Sequence, residues 1–322
     1  MKTEFIAEGA YGCVLKPAKE CDIKLNKNKT VVKIFRNKED YITELYNQDI
    51  IEKIFKNKKK IIVNKLSNCK KSINEYDKSA YINCKDIFNG DDNQEVYQIV
   101  YDNGGEDLWK HISNNNITFK KMFMNLENVI NGLEILQKKN YIHQDIRPPN
   151  ILLNFKNKES KIIDFGFLIK KKDFYNYSNK FITATANHQY PPEINKDNYT
   201  NFFEYYKNLI LRHQNFFISD KKRKEQFKII LYYLYQEIRL YKKYKYAKKI
   251  NLNKFDLYML GVSLFDLLII FNLKKKLRLK NAEFNLILSF IKNLLNFNIK
   301  KRYSIKKTKS EYYKICSILK KK

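Results

Sequence analysis

The sequence predicts an α+β fold, with strands gathered early in the chain and helices late. Two observations carry this. Runs with strand character, Thr3–Ala7, Cys13–Lys16, Thr30–Phe35 and Glu95–Tyr101, lie in the first hundred residues. From Thr118 to Lys139, Phe119, Met122, Phe123, Leu126, Val129, Ile130, Leu133 and Leu136 then recur at helical spacing. A second apolar run, Leu257–Leu273, is interrupted by Asp266. Strands first and helices later are the mark of an α+β chain.

The 322 residues suffice for two modest domains or one bilobal unit. With 44% hydrophobic and 15% aromatic residues, a sizeable core is expected and wholesale disorder is excluded. Lys and Arg number 63 against 34 acids, a net +29. Such a field attracts nucleic acid, anionic membrane or acidic protein. Lys, Asn, Ile and Tyr are all abundant, however, as AT-rich coding produces, so a solvated surface is the favoured reading. Five cysteines (Cys13, Cys21, Cys69, Cys84, Cys316) form no CxxC pair, and no His stands at zinc-finger spacing. Met1–Ala10 has no signal-peptide pattern, so a reducing intracellular compartment is expected. Leu257–Leu273 falls short of the roughly 20 apolar residues of a spanning helix and is expected as a core helix, with no transmembrane segment.

The chemistry concentrates in Tyr141–Phe167. His143, Asp145, Arg147 and Asn150 share one short loop, and Asp164 follows 19 residues after Asp145, just before Phe165-Gly166. Ile151–Leu153 and Ile162–Ile163, separated by polar Asn154–Lys161, read as a β-hairpin that holds the loop and the second acid side by side. One carboxylate can orient an attacking hydroxyl. The other, with an amide oxygen, can hold Mg²⁺ on phosphates.

Upstream, Gly9 and Gly12 frame a turn between two strands, where backbone N–H groups can approach phosphate oxygens closely. Lys33 is embedded in Thr30–Phe35 and shares a strand face with Val31 and Phe35, so it needs an anionic partner. A helix is expected from about Asn37 to Phe55, with Asn37 at the N-cap and Asp40 at N3. Residues 57–94 read as a solvent-exposed insert between strands, with a strand-like Lys60–Val63. Asn103-Gly104-Gly105 is a turn.

These elements, H-Q-D-I-R-P-P-N followed by D-F-G, resemble the catalytic loop and metal-binding motif of eukaryotic-type protein kinases. Phe5–Val14 resembles that family's glycine loop with Ala7 in place of its first Gly. Pro191-Pro192-Glu193 resembles its Ala-Pro-Glu, and Asp256–Gly261 its D-x-W-x-x-G, with Tyr258 for Trp. The resemblance implies a bilobal fold: an N-lobe at 1–99, a hinge at 100–107 and a C-lobe at 108–322, with a basic, aromatic insertion at about 195–250. It implies ATP and Mg²⁺, or Mn²⁺, as cofactors and a protein hydroxyl as acceptor. Gly9, Ala10, Tyr11, Gly12, Val14, Val31, Ile99, Leu152 and the backbone of Val100, Tyr101 and Asp102 would surround the nucleotide, with Glu106 at the ribose. Lys33 would bind the α- and β-phosphates and pair with Glu44, with Glu39 and Glu52 as alternatives. Asp145 would act as base or hydroxyl-orienting group, Arg147 would neutralise the transferring phosphate, and Asn150 and Asp164 would hold metal. His143 would be structural. Asp256 would anchor the catalytic loop and Arg302 would pair with Glu193.

Two departures bear on regulation and acceptor. Gln144 replaces the arginine that gathers an activation-segment phosphate, so a loop competent without phosphorylation is expected. The segment still offers Tyr175, Tyr177, Ser178, Thr183 and Thr185, and Thr183–Gln189 only roughly matches a substrate-docking loop. Arg147 stands where serine/threonine kinases usually have lysine, while Pro148 follows their pattern; Ser/Thr specificity is the reading taken. In the insertion, Phe227, Ile230, Leu231, Leu234, Ile238 and Tyr241 mark an amphipathic helix expected to pack on the C-lobe. The alternative is a basic platform for an acidic partner or nucleic acid. Ser310–Lys322 reads as a short basic tail, with a helix as the open alternative. Gly9–Val14 with Lys16–Cys21 also resembles serine/threonine kinases of large DNA viruses, which would place the protein in host cytoplasm or virion. A basic pseudokinase scaffold is the alternative function. A small-molecule phosphotransferase ranks lower, because such enzymes usually lack the Pro-Glu and Asp-x-x-x-x-Gly elements.

Overall fold

Thr30–Phe35 (β3) forms the centre of a five-stranded antiparallel sheet of order β1-β2-β3-β5-β4. Its companions are β1 (Glu4–Gly9), β2 (Gly12–Lys16), β4 (Lys65–Ser72) and β5 (Glu95–Asp102). The computed structural model describes residues 2–9, 12–22, 24–26, 29–56, 58–113, 116–174, 189–194, 204–208, 224–230, 232–233 and 250–321. The chain divides into two units, Met1–Gly105 and Glu106–Lys322.

In the first unit, strand alternation sorts β3 as its sequence requires. Val32 and Ile34 are fully buried in a cluster with Cys13, Leu15, Val96 and Val100, while Val31 and Lys33 occupy the other, half-buried face. That cluster is completed by Ile73, Tyr76, Ala80, Tyr81, Cys84 and Ile87. The stretch expected to be a solvent-exposed insert is therefore a lid on the sheet's core. Its polar residues hide these six side chains among them, besides Ile61, Ile62 and Val63. It includes a short helix, α2 (Lys78–Tyr81).

Lys60–Val63 is not a strand. Ile61, Ile62 and Val63 are buried in a turn, closed by the Ile61 N–H on the Lys58 carbonyl and by Gln48 Nε2 on Val63 O. The strand begins instead at Lys65, in the polar run Lys65–Ser72, whose pairing with β5 outweighs its weak strand propensity. Disulfides join Cys13 to Cys84 and Cys21 to Cys69. They close sequence separations of 71 and 48 residues, which cysteine spacing alone does not announce.

Helix α1 (Lys38–Ile54) starts where expected, with Asn37 Oδ1 accepting the Glu39 N–H as N-cap. Its Tyr41 stacks on Tyr97 of β5 at 5.0 Å between ring centres.

The second unit opens with β6 (Glu106–Asp107), which pairs with β8 (Ile151–Asn154), itself paired with β9 (Glu159–Ile162). The hairpin read from Ile151 to Ile163 is thus present, and β7 (Tyr141–Ile142) pairs with β10 (Ile169–Lys170). Short α3 (Leu108–His111) follows β6. The single helix expected over Thr118–Lys139 is two: α4 (Phe119–Phe123) and α5 (Glu127–Lys138). The Asn125 amide donates to Lys121 O, and the chain turns before Leu126. Both helices bury the same apolar series, so periodicity runs through the break.

Helix α6 (Phe255–Leu273) is the core of this unit, with α7 (Asn281–Leu294) packed on it and α8 (Ile305–Lys320) packed on α7 and α5. Leu252–Leu273 is long and apolar enough to cross a membrane, but 83% of that window is buried. Gly261 lets α7 approach, since a Cβ there would meet Leu294 Cβ at 2.8 Å. The basic tail takes the helical alternative as the end of α8, and it buries Tyr312, Ile315, Cys316 and Leu319.

In the insertion, residues 204–208 and 224–230 are helical, and Tyr206, Phe227, Ile230 and Tyr233 are buried. Leu231, Leu234, Ile238 and Tyr241 lie outside the described residues. Tyr206 packs on Phe265 of α6 and donates its hydroxyl to Asp266 Oδ1 at 2.7 Å. Burial pushes the Asp266 carboxyl up to about 7, and the Tyr206 bond opposes that rise. A carboxyl whose folded pKa is raised stabilises fully below its unfolded value, and the contribution is lost as pH rises through the folded one. Going from pH 6 to pH 8 should therefore cost about 1 kcal/mol through this group. Urea unfolding of wild type and Asp266→Asn at the two pH values should show that loss in wild type alone; equal losses would remove the carboxyl as cause.

Candidate active site

In the first unit the site is built on β2, β3 and α1. Lys33 Nζ lies 3.0 Å from Glu44 Oε2, with both side chains about 15% exposed (15% and 14%). Glu44 Oε1 also accepts the Tyr101 hydroxyl at 3.2 Å, so the carboxylate is held from two sides. Glu52, one alternative partner, instead accepts from Gln48 Nε2 and the Lys65 N–H. Glu39 lies in the first turn of α1, where Asn37 Oδ1 accepts its N–H. Gly12 pairs with Gly9 across the β1–β2 turn, and a Cβ on Gly12 would sit 2.9 Å from Ile34 O and 3.2 Å from the Lys33 side chain. Only glycine allows the turn and the lysine to lie so close. Ala10 and Tyr11, the residues at the turn itself, lie outside the described residues. Val14 and Val31 are half-buried in β2 and β3, and Ile99 and Val100 are fully buried in β5. Asp102 already uses its N–H on Asn64 O at 3.1 Å, and its carboxylate accepts the Asn64 N–H.

In the second unit the loop between β7 and β8 is fixed from below. Asp256, at the start of α6, accepts the His143 N–H at 2.9 Å and the Gln144 N–H at 3.0 Å. Burial pushes that carboxyl up to about 6 despite these two bonds. Gln144 and Asp164 both take the left-handed backbone conformation, with φ of 68° and 62°. Such geometry persists in non-glycine residues only when surrounding contacts enforce it, and it clusters at functional sites.

Asp145 is 8% exposed, and both its oxygens are engaged. Oδ2 accepts Asn150 Nδ2 at 2.6 Å, and Oδ1 lies 3.1 Å from Arg147 Nε. Burial raises the Asp145 carboxyl to about 6, with Arg147 opposing and Asp164 reinforcing the rise. The same Asn150 Nδ2 also donates to Asp145 O, which leaves the amide oxygen as the side chain's free acceptor type. Gly166 leaves room for Asp164: a Cβ there would be 3.3 Å from Asp164 Oδ1.

His143 is buried and pushed down to about 4, chiefly by that burial. Its Nδ1 accepts the Asp145 N–H at 3.2 Å, so Nε2 carries the proton toward Ile163 O, also 3.2 Å away. It is a neutral brace between Asp145 and the strand leading to Asp164. Glu106 stands 3.5 Å from His111 Nδ1 and is largely exposed, and Leu152 is half-buried in β8 opposite Asp107.

The protein tyrosine and serine/threonine kinase family model matches residues 1–203. The chain belongs to that family. Among curated proteins, calcium-dependent protein kinase 4 of Plasmodium berghei is 34% identical over 91 residues, 27% of this chain and 17% of its own. The serine/threonine-protein kinase ELM1 of Saccharomyces cerevisiae is 38% identical over 91 residues, 27% of this chain and 13% of its own. The serine/threonine-protein kinase atg1 of Dictyostelium discoideum is 31% identical over 108 residues, 33% of this chain and 16% of its own. The chain thus aligns with less than a fifth of the length of each of these kinases.

Within the kinase framework, the structure joins Lys33 with Glu44 in one unit and Asp145 with Arg147 and Asn150 in the other. Tyr175, Tyr177, Ser178, Thr183 and Thr185 lie outside the described residues. Sequence reasoning missed two contributors. The Gln144 side chain donates to Phe167 O at 2.6 Å, and Lys171 Nζ donates to Gln137 O and Asn253 Oδ1 at 2.9 and 2.6 Å. Neither residue type at its position signals such bonds.

Proposed function

We propose that this protein transfers the γ-phosphate of Mg-ATP to a protein hydroxyl, with serine or threonine as acceptor. The observation that carries the proposal is Asp145: a buried carboxylate raised to about 6, yet still ionised for the most part at neutral pH, beside a cation and an amide. A group in that range can orient an acceptor hydroxyl and receive its proton. Lys33, kept extended by Glu44, suits the nucleotide's phosphates. Asn150 and Asp164 offer oxygen donors, and Mg²⁺ takes one or two such protein ligands beside phosphate and water, so the residues fit the metal. The ion, or Mn²⁺ in its place, would neutralise charge on the phosphates when bound. Arg147 is tied to Asp145 through Nε, which leaves the far end of its guanidinium for an anionic oxygen.

Serine/threonine specificity is supported by Pro148 and by the similarity to the serine/threonine-protein kinases ELM1 and atg1. Independence from activation-segment phosphorylation is supported by Gln144, a neutral amide that cannot gather a phosphate as arginine does. The likeness of Gly9–Cys21 to kinases of large DNA viruses supports a viral origin, and with it an intracellular site of action. An acidic protein substrate would suit the +29 charge.

The test is Mg²⁺-dependent transfer of labelled phosphate from ATP to acidic and basic protein substrates, before and after phosphatase treatment. Transfer that survives phosphatase is expected. Nucleotide binding without transfer would favour the scaffold reading, and loss of transfer after phosphatase would overturn independence.

A further inference from the structure

The segment that leaves Asp164-Phe165-Gly166 is fastened by three separate ties to the loop carrying Asp145 and to the elements that support it. One is the two-residue ladder in which Ile169 pairs with Ile142 and Lys170 with Tyr141, extended by the Lys171 N–H on Asn140 O at 2.8 Å. Another is Lys171, whose ammonium bridges Gln137 O at the end of α5 and Asn253 Oδ1 just before α6. The third is the Gln144 amide on Phe167 O, at 2.6 Å, across 23 residues of sequence.

Gln144 is the point where these meet the chemistry. Its backbone N–H is held by Asp256, its φ is 68°, and Asp145 is the next residue. Its side chain is half-buried and donates to a backbone carbonyl.

We propose that Gln144 is a positioning residue, whose amide locks residue 167, and with it Asp164, to the loop that presents Asp145. The lock is made by the chain itself and needs no phosphate. It rests on the reading of Asp145 and Asp164 as the acceptor-orienting and metal-holding acids. What matters in this lock is the donor, not the bulk, of the side chain. Glutamate has the same shape but no N–H, and at neutral pH it would aim a carboxylate at a carbonyl oxygen. Arginine is larger but keeps donors.

The experiment compares wild type, Gln144→Glu and Gln144→Arg in steady-state transfer, with amide exchange followed over residues 167–171. Gln144→Glu should lower kcat about tenfold, the scale of one lost hydrogen bond to a part-buried acceptor, with KM for ATP within about twofold. Exchange over 167–171 should quicken in that variant alone, and Gln144→Arg should keep kcat within about threefold of wild type. Unchanged kcat in Gln144→Glu would overturn the proposal, as would equal losses in both variants, since size and not donation would then be at work. Absence of transfer in wild type would instead defeat the reading of the acids, and the exchange comparison would still decide whether the tie exists.

Discussion

Asp145→Asn should lower the transfer rate by about 10²–10⁴-fold, the usual contribution of a positioned acid–base group. It should do so without weakening the fold. The asparagine keeps the side chain's shape and an oxygen for Asn150 Nδ2, which now sits 2.6 Å from Asp145 Oδ2. It removes a charge that burial disfavours, since the carboxyl is raised to about 6. A group with a raised folded pKa costs stability once pH exceeds that value, so at pH 8 the variant should unfold no earlier than wild type. Activity and stability thus part company, and that separation is the signature of a site residue. Transfer assays and urea unfolding on the same preparations check it. Activity above a tenth of wild type would mean that another group orients the acceptor. A variant both inactive and less stable would mark Asp145 as structural. Lys33→Met serves as the companion from the first unit. It should also abolish transfer, but at some cost to the fold, because Glu44 loses its cation while still accepting the Tyr101 hydroxyl.

How far the sequence revealed this site depended on whether its signal was local. Asp145 and Asn150 precede one hairpin and Asp164 follows it, so these residues are near neighbours along the chain, and the turn-rich Asn154–Lys161 shows how the two ends are brought together. Glu44 was harder, because three acids lie on or beside one helix. Only the geometry of α1 against β3 selects the one that faces Lys33. The insert at 57–94 was misjudged for a physical reason. Its apolar residues are spread among lysines and asparagines with neither a 2-residue nor a 3.6-residue period, because they cover a sheet from irregular backbone. The disulfides were invisible for the same reason, being contacts between segments the sequence gives no cause to align. The break between Phe123 and Glu127 escaped notice because both short helices face one core, so their apolar stripes share a phase. Gln144 was read for what it lacks, the charge of an arginine. What it does was legible only once its φ and its acceptor were known.

The largest stability effect is expected at Arg302, whose side chain is 0% exposed and bonded to a Glu193 side chain that is 3% exposed. The guanidinium forks onto both carboxylate oxygens, Nη1 at 2.6 Å and Nη2 at 3.0 Å, and gives Nε to Asn296 O at 3.0 Å. Its plane lies 4.7 Å from the Tyr258 ring centre, where the family more often has tryptophan. Removing one partner of a buried pair leaves an unpaired buried charge, so Arg302→Met should cost about 3–5 kcal/mol. The cost should fall toward the low end of that range, because a second cation is at hand. Lys254 Nζ donates to Ile299 O and to Arg302 O, feels the Glu193 charge, and has its own pKa lowered by burial first and by Arg302 second. Without Arg302 it becomes the carboxylate's nearest counter-charge. Arg302→Lys should rescue little, since a point charge cannot reproduce the two-pronged contact or the stacking on Tyr258. Pairing Arg302→Met with Glu193→Leu should recover most of the loss, because the penalty belongs to the orphaned charge and not to the missing attraction. Urea unfolding of the two single variants and the double gives the coupling directly. If the single losses simply add, the pair is not the unit that holds residues 189–194 to the α6–α8 core, and the stability of that segment must come from its packing, with Tyr190 against Phe255 as the next contact to remove.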